Sequence, residues 1–160
     1  MKAAAFDYTK VSTVNEAVQL LSRHPGSAQI LAGGQSLMAM MNLRLAQPEM
    51  LVDISGIDTL KGIEVKGNVL RIGALTTHHA ILKSDLVAQH APLLAQAVPH
   101  VAHLAIRNVG TIGGSLALAD PAAEYPAVAL ALNATIIAQG PRSEEHTSEL
   151  QSRGLISYAV

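Results

Sequence analysis

No cysteine occurs in the 160 residues. Disulfides, a cysteine nucleophile and an iron–sulfur cluster held by the chain's own thiolates are therefore excluded, and any iron–sulfur partner must be another polypeptide. There is no run of lysines or arginines, and the formal net charge is -1. That removes the electrostatic footprint of a nucleic-acid or anionic-membrane binder and leaves a small molecule as the better-fitting partner. No segment reaches the ~20 uninterrupted apolar residues of a membrane span. The opening "MKAAAFDYTK" lacks the apolar run of a signal peptide. The expectation is a soluble, cytoplasmic protein. G-x-x-x-x-G-K-[ST] and G-x-G-x-x-G are also missing, so a bound dinucleotide would not sit on a Walker or Rossmann loop.

What is present is enough apolar material, 49% of the chain, for one domain or two small subdomains around one site. "STVNEAVQLLSRHPG" predicts a helix. Ser12 or Thr13 is its cap, Glu16 lies in the first turn, Val14, Ala17, Val18 and Leu21 recur at helical spacing, and Pro25-Gly26 is the stop. "SAQILAG" and "PEMLVDISGI" read as short strands on either side of a helical "QSLMAMMNLRL", giving the order strand, helix, strand, helix, strand. After Ile57 the texture changes. "KGIEVKGNVLRIGAL" predicts a hairpin around Lys66-Gly67-Asn68, and a subdomain boundary is expected near residue 56, with units 1–56 and 57–141. "TTHHAILKSDLVAQH" and "PLLAQAVPHVAHLAI" read as helices, the second limited by Pro99. "RNVGTIGGSLALADPAAEYP" reads as a glycine-rich loop region before helical "AVALALN" and strand-like "ATIIAQG".

Two glycine pairs, each followed closely by serine, carry the chemistry: "LAGGQS" and "TIGGS". Each could be an ordinary tight turn, since glycine is the default where the backbone needs φ > 0 or a close approach. Two such segments could also converge on one diphosphate. Their backbone N–H groups, the hydroxyls of Ser36 and Ser115, and the positive end of the helix after Gly34 would then face the anion. Both readings stand on these residues alone.

"LAGGQSLMAMMNLRLAQPEMLVDIS", "IGALTTHHAIL" and "IRNVGTIGGSLALADPAAEYPAV" together resemble the FAD-binding medium subunit of molybdenum hydroxylases, the group that includes aerobic carbon monoxide dehydrogenase and bacterial xanthine dehydrogenase-like enzymes. The likeness runs collinearly from about residue 6 to 141. It implies an α+β fold, the vanillyl-alcohol-oxidase (PCMH) type of FAD-binding domain, with two subdomains gripping FAD between them and the family's C-terminal domain absent. By position, Ala32, Gly33, Gly34, Gln35 and Ser36 would hold the diphosphate from one side, and Thr111, Ile112, Gly113, Gly114 and Ser115 from the other. Glu124, behind the Asp120-Pro121 turn, matches an acidic residue that contacts the cofactor, and Asp120 is counted with it. Many members carry R-N-R-G and A-H-A-D around T-I-G-G, where this chain has Val109 and Leu118. The resemblance further implies electron transfer. Electrons would come from a molybdenum cofactor on a molybdopterin large subunit and [2Fe-2S] clusters on a small subunit, in a heterotrimer, and would pass through FAD here to an external acceptor. Related flavoproteins with covalent flavin place a histidine after the glycine pair. Gln35 stands there and no cysteine exists, so non-covalent FAD is expected. No catalytic residue is nominated.

The other candidates read as structural. The seven histidines, among them His78-His79 and the pair His100 and His103, fit no H-E-x-x-H or cysteine-bearing zinc pattern. Ser36 has neither G-x-S-x-G nor a paired base. Met38, Met40, Met41 and Leu43 are expected to fill core gaps and the underside of the glycine loop. Arg44 is expected at the surface, with Asp53 or a partner subunit as the alternative contact. "RSEEHTSELQS" looks like a translated sequencing-library adapter, and residues 142–160 are set apart as a non-native tail. Two other readings remain open: a stand-alone FAD oxidoreductase of the same superfold, and a non-enzymatic α+β binding module whose glycines are turns.

Overall fold

A three-stranded parallel sheet forms first along the chain, from β1 (Asp7–Lys10), β2 (Ala28–Leu31) and β3 (Met50–Asp53), in the order β1-β3-β2. The computed structural model describes residues 2–140 and the backbone of strands at 143–148 and 156–159. Parallel strands need helical crossovers. Here α1 (Val14–Arg23) joins β1 to β2 and α2 (Leu37–Asn42) joins β2 to β3, as the predicted order requires. The start of α1 is a capping box. The Glu16 amide donates to the Thr13 hydroxyl at 3.2 Å, and the Glu16 carboxylate accepts from the amides of Ser12 and Thr13 at 2.9 and 3.3 Å. Its end is the left-handed Gly26, φ +78°. Successive residues of β3, Leu51 and Val52, are 1% and 0% exposed, so the central strand is covered on both faces, as parallel sheets demand.

Asp53 ends β3 as a buried carboxylate with its own partners. It accepts from the Tyr8 hydroxyl and, at 2.8 Å, from the Ser55 amide. Burial works to raise its pKa, but those hydrogen bonds and the charge of Lys10 outweigh it and hold the carboxyl below its ordinary range. Arg44 is not among its partners. That side chain is exposed, and its Nε donates to the Lys2 carbonyl at 3.4 Å.

The chain divides into two compact units, Met1–Asp58 and Thr59–Val160. The second opens with the predicted hairpin of β4 (Ile63–Lys66) and β5 (Val69–Gly73), turned by Gly67 at φ +60°. The two long helices expected next are each broken. Ser84 stops α3 (His78–Leu82) and caps α4 (Asp85–His90), its hydroxyl accepting from the Val87 amide at 3.3 Å. Pro99 lies in a 3-10 turn between α5 (Pro92–Ala97) and α6 (Leu104–Arg107). After α7 (Ile112–Leu118) and α8 (Glu124–Ala131) come β6 (Thr135–Gly140), β7 (Ser143–Ser148) and β8 (Ile156–Ala159). The sheet order is β4-β5-β8-β6-β7. Residues set apart as a tail thus supply two strands, because ladder pairing uses backbone groups that any extended segment offers. Leu70 and Ile72 of β5 lie in one core with Ile81, Leu94, Val98, Ile112 and Tyr125. Among the described residues no helix is long and apolar enough to cross a membrane.

Candidate functional site

The first glycine motif follows β2 directly. Gly34 is at φ +67°, and a Cβ there would also come within 3.1 Å of Leu31 Cδ1 and 3.3 Å of Met38 Cγ. The left-handed turn thus requires a glycine, and Leu31 and Met38 fill the loop's underside as expected of Met38. Gly33 has no positive φ, so the backbone itself does not explain its missing side chain. Its carbonyl accepts from the Gln35 side-chain amide at 2.9 Å. The carbonyls of Gly34 and Ser36 accept from Met38 and Met40, each at 3.0 Å, and start α2. The backbone N–H groups of residues 33–36 make no hydrogen bond among the described residues. Ala32, Gly33 and Gly34 are half-buried, while Gln35 and Ser36 are exposed. The helix is shorter than its apolar pattern suggested. It begins at Leu37 and stops at Asn42, with Met41 buried and Leu43 half exposed.

The second motif is not the loop that its glycines suggested. Thr111 is the N-cap of α7, its hydroxyl accepting from the Gly114 amide at 3.2 Å, and Ile112, Gly113, Gly114 and Ser115 form the first turn. Its backbone donors are spent internally. The Ile112 amide donates to the Thr76 carbonyl at 3.1 Å, Gly113 to Ala74 at 2.9 Å and Ser115 to Thr111 at 3.1 Å. From the other side the His78 amide donates to the Gly110 carbonyl at 3.0 Å, so residues 110–113 run antiparallel along residues 74–78 as a short seam. Gly113 is a glycine because of that seam. A Cβ there would lie 2.6 Å from Ala74 Cβ and 2.7 Å from its carbonyl oxygen. Ile112 is wholly buried, and of the motif only Gly114 is exposed and Ser115 half-buried. Four of the amides of residues 111–115 thus already have partners among the described residues.

Behind the seam lies a cluster that sequence reading missed. The His78 ring stacks on Tyr125 with centroids 5.1 Å apart, and it covers Gly110, where a Cβ would meet its Nε2 at 2.8 Å. Burial, helped by the charge of Arg107, lowers the pKa of His78 to about 4 and keeps it neutral. Its Nδ1 has no hydrogen-bond partner among the described residues. Arg107 turns inward, and one Nη donates to the carbonyls of Pro99, Val101 and Ala102 at 3.3, 3.0 and 2.7 Å. It thereby pins the turn that precedes α6. Only the adjacent charge pattern "IRNVG" could have hinted at this, and it names no partner. The acidic candidates divide. Asp120 is exposed and accepts from the Ala122 amide at 2.9 Å, an Asx turn. Glu124 is half-buried at the first residue of α8, where a carboxylate suits the helix dipole.

Comparison with known proteins places these motifs. Residues 4–152 match the family described as the FAD binding domain in molybdopterin dehydrogenase. The chain is 44% identical over 144 residues to the 6-hydroxypseudooxynicotine dehydrogenase complex subunit alpha of Paenarthrobacter nicotinovorans, covering 90% of this chain and 49% of that protein. It is 43% identical over 136 residues to the carbon monoxide dehydrogenase medium chain of Hydrogenophaga pseudoflava, covering 85% and 47%. Among solved structures, reconstituted CO dehydrogenase from Oligotropha carboxidovorans matches with a TM-score of 0.91 at 37% identity, over 96% of this chain and 54% of that one. The chain thus spans about half the length of the relatives it matches. The likeness bears out the α+β architecture read from the sequence motifs. The chain belongs to the family of FAD-binding domains of molybdopterin dehydrogenases.

Proposed function

We propose that this chain holds FAD non-covalently as the electron-transfer component of a molybdenum hydroxylase, assembled in the cytoplasm with an iron–sulfur small subunit and a molybdopterin large subunit. The observation that carries the reading is the row of unpartnered N–H groups at residues 33–36, in a chain of this family. Consecutive unpaired backbone donors on a glycine turn suit an anion such as the cofactor's diphosphate. The residues present fit that group. Gly33 and Gly34 carry no side chain, and Ser36 beside them is exposed. From the second motif we assign to the same cofactor the exposed Gly114 and the half-buried Ser115. Thr111, Ile112 and Gly113, with Ala32, Gln35, Asp120 and Glu124, make up the rest of the proposed set.

When bound, the isoalloxazine would accept electrons from the partner's clusters and deliver them to an external acceptor. The chain's own residues bind and orient. Gln35 offers no nucleophile for a covalent flavin link, and no proton donor is needed from this chain. The test is an absorption scan of the purified protein, with and without added FAD. Flavin bands that persist through gel filtration and leave with the protein's denaturation are expected. Protein that stays colourless after incubation with FAD would overturn the reading. Co-purification with iron–sulfur and molybdopterin subunits is the expected outcome for the assembly.

A further inference from the structure

The donor row at residues 33–36 suits an anion better when the carbonyls of the loop are occupied elsewhere. A carbonyl oxygen carries the opposite partial charge, and one turned into the row would repel an anion as strongly as a neighbouring N–H attracts it. Two of the carbonyls are removed by α2, which takes those of Gly34 and Ser36 for the amides of Met38 and Met40. The Gly33 carbonyl lies one residue too early for that. It is taken instead by the side chain of Gln35, whose Nε2 donates to it at 2.9 Å. Gly33 is also the member of the pair without a left-handed φ, so its own backbone conformation does not mark its orientation as that of Gly34 does. An exposed glutamine has no need of an intraloop bond for solubility, and its two-residue reach spans the peptide whose direction decides which way the Gly33–Gly34 link faces.

We propose that Gln35 is a positioning residue: its side-chain amide ties down the Gly33 carbonyl and holds the donors of residues 33–36 facing outward before any cofactor arrives. This rests on the FAD reading above and deepens it. The amide nitrogen of Gln35 is committed to the loop, so its contribution to binding runs through backbone geometry and not through a contact of that nitrogen with phosphate. Preorganisation of this kind raises affinity by removing the ordering cost at the moment of binding.

Two measurements on the whole chain test it. Gln35→Met keeps length and apolar stem but has no donor, and Gln35→Glu replaces the donor by a charged acceptor. Backbone 15N relaxation of the flavin-free proteins reads the loop directly. In the unaltered chain the Gly33 and Gly34 amides should have order parameters near 0.85, the value of rigid backbone, and in Gln35→Met they should fall toward 0.6 while the strands stay unchanged. Titration with FAD should give a Kd raised about fivefold in Gln35→Met, the equivalent of one neutral hydrogen bond, and raised further in Gln35→Glu. A weaker Kd with unchanged order parameters would overturn the proposal and make Gln35 a direct cofactor contact. Unchanged order parameters and unchanged Kd would overturn it outright. Failure of the unaltered chain to bind FAD would overturn the proposed function instead, and the relaxation data would still decide the loop.

Discussion

Gly113 and Gly114 are adjacent glycines in the same helical turn, yet replacing each by alanine should move stability in opposite directions. At Gly113 the new Cβ would stand 2.6 Å from Ala74 Cβ, 2.7 Å from Ala74 O and 2.9 Å from Ala74 Cα. Carbon atoms rest at about 3.5–4.0 Å, so residues 74–78 would have to retreat by roughly 1 Å. That retreat would stretch the Gly113 to Ala74 hydrogen bond from 2.9 Å beyond a useful length. Overpacking costs about 1–3 kcal/mol and the lost bond about 1 kcal/mol, against a helix-propensity gain of up to about 1 kcal/mol. The net loss is about 2 kcal/mol, or a fall in Tm of roughly 4–8 °C for a chain of this size. Gly114 is exposed on the same turn, so there alanine keeps the propensity gain alone and should raise stability by up to about 1 kcal/mol. Urea unfolding followed by far-ultraviolet circular dichroism measures both. A Gly113→Ala protein as stable as the unaltered chain would refute the seam as the reason for that glycine.

Gly33→Val should abolish flavin retention with little change in the urea midpoint, and a variant that keeps its flavin through gel filtration would reduce the first motif to a turn. Thr13→Ala removes one arm of the capping box and should cost about 1 kcal/mol, read as a lower midpoint. Acidification should destabilise the second unit through His78. In the unfolded chain an imidazole binds its proton near 6.5, whereas in the fold it does so only at about 4. Between those values the unfolded state holds more protons, so stability falls as pH drops from about 6.5 and the decline levels off below about 4. His78→Leu should flatten that part of the stability-against-pH curve, and an unaltered slope would show that other groups cause it.

Local chemistry was the legible part of this chain. Thr13 and Glu16 announce the start of α1 because a capping box is contained in four consecutive residues. Gly67 likewise marks a hairpin whose ladder pairs its immediate neighbours. Other features are decided by residues distant in the chain. "NVGTIGGS" has the composition of a loop, but the seam with residues 74–78 and the Thr111 cap hold it in a helix despite the low propensity of two glycines. Ser84 splits an apolar-periodic segment by hydrogen-bonding the Val87 amide, a choice that periodicity does not register. The carbonyl clamp of Arg107 and the approach of Ala74 to Gly113 join residues whose relation no spacing rule encodes. The two glycine pairs looked equivalent in sequence, and only the whereabouts of their hydrogen-bond partners separates them.

That separation bears on how such a domain can change over evolutionary time or in a designer's hands. Residues 110–115 are bound into the unit that contains them, so nearly every substitution there is first a test of folding, and altered cofactor affinity would have to survive that filter. Residues 33–36 leave their amides unspent, and a substitution such as one at Gln35 can alter the loop without disturbing β2 or β3. Variation is therefore cheapest at the first motif, while the second is the better place to look for variants that fail to accumulate.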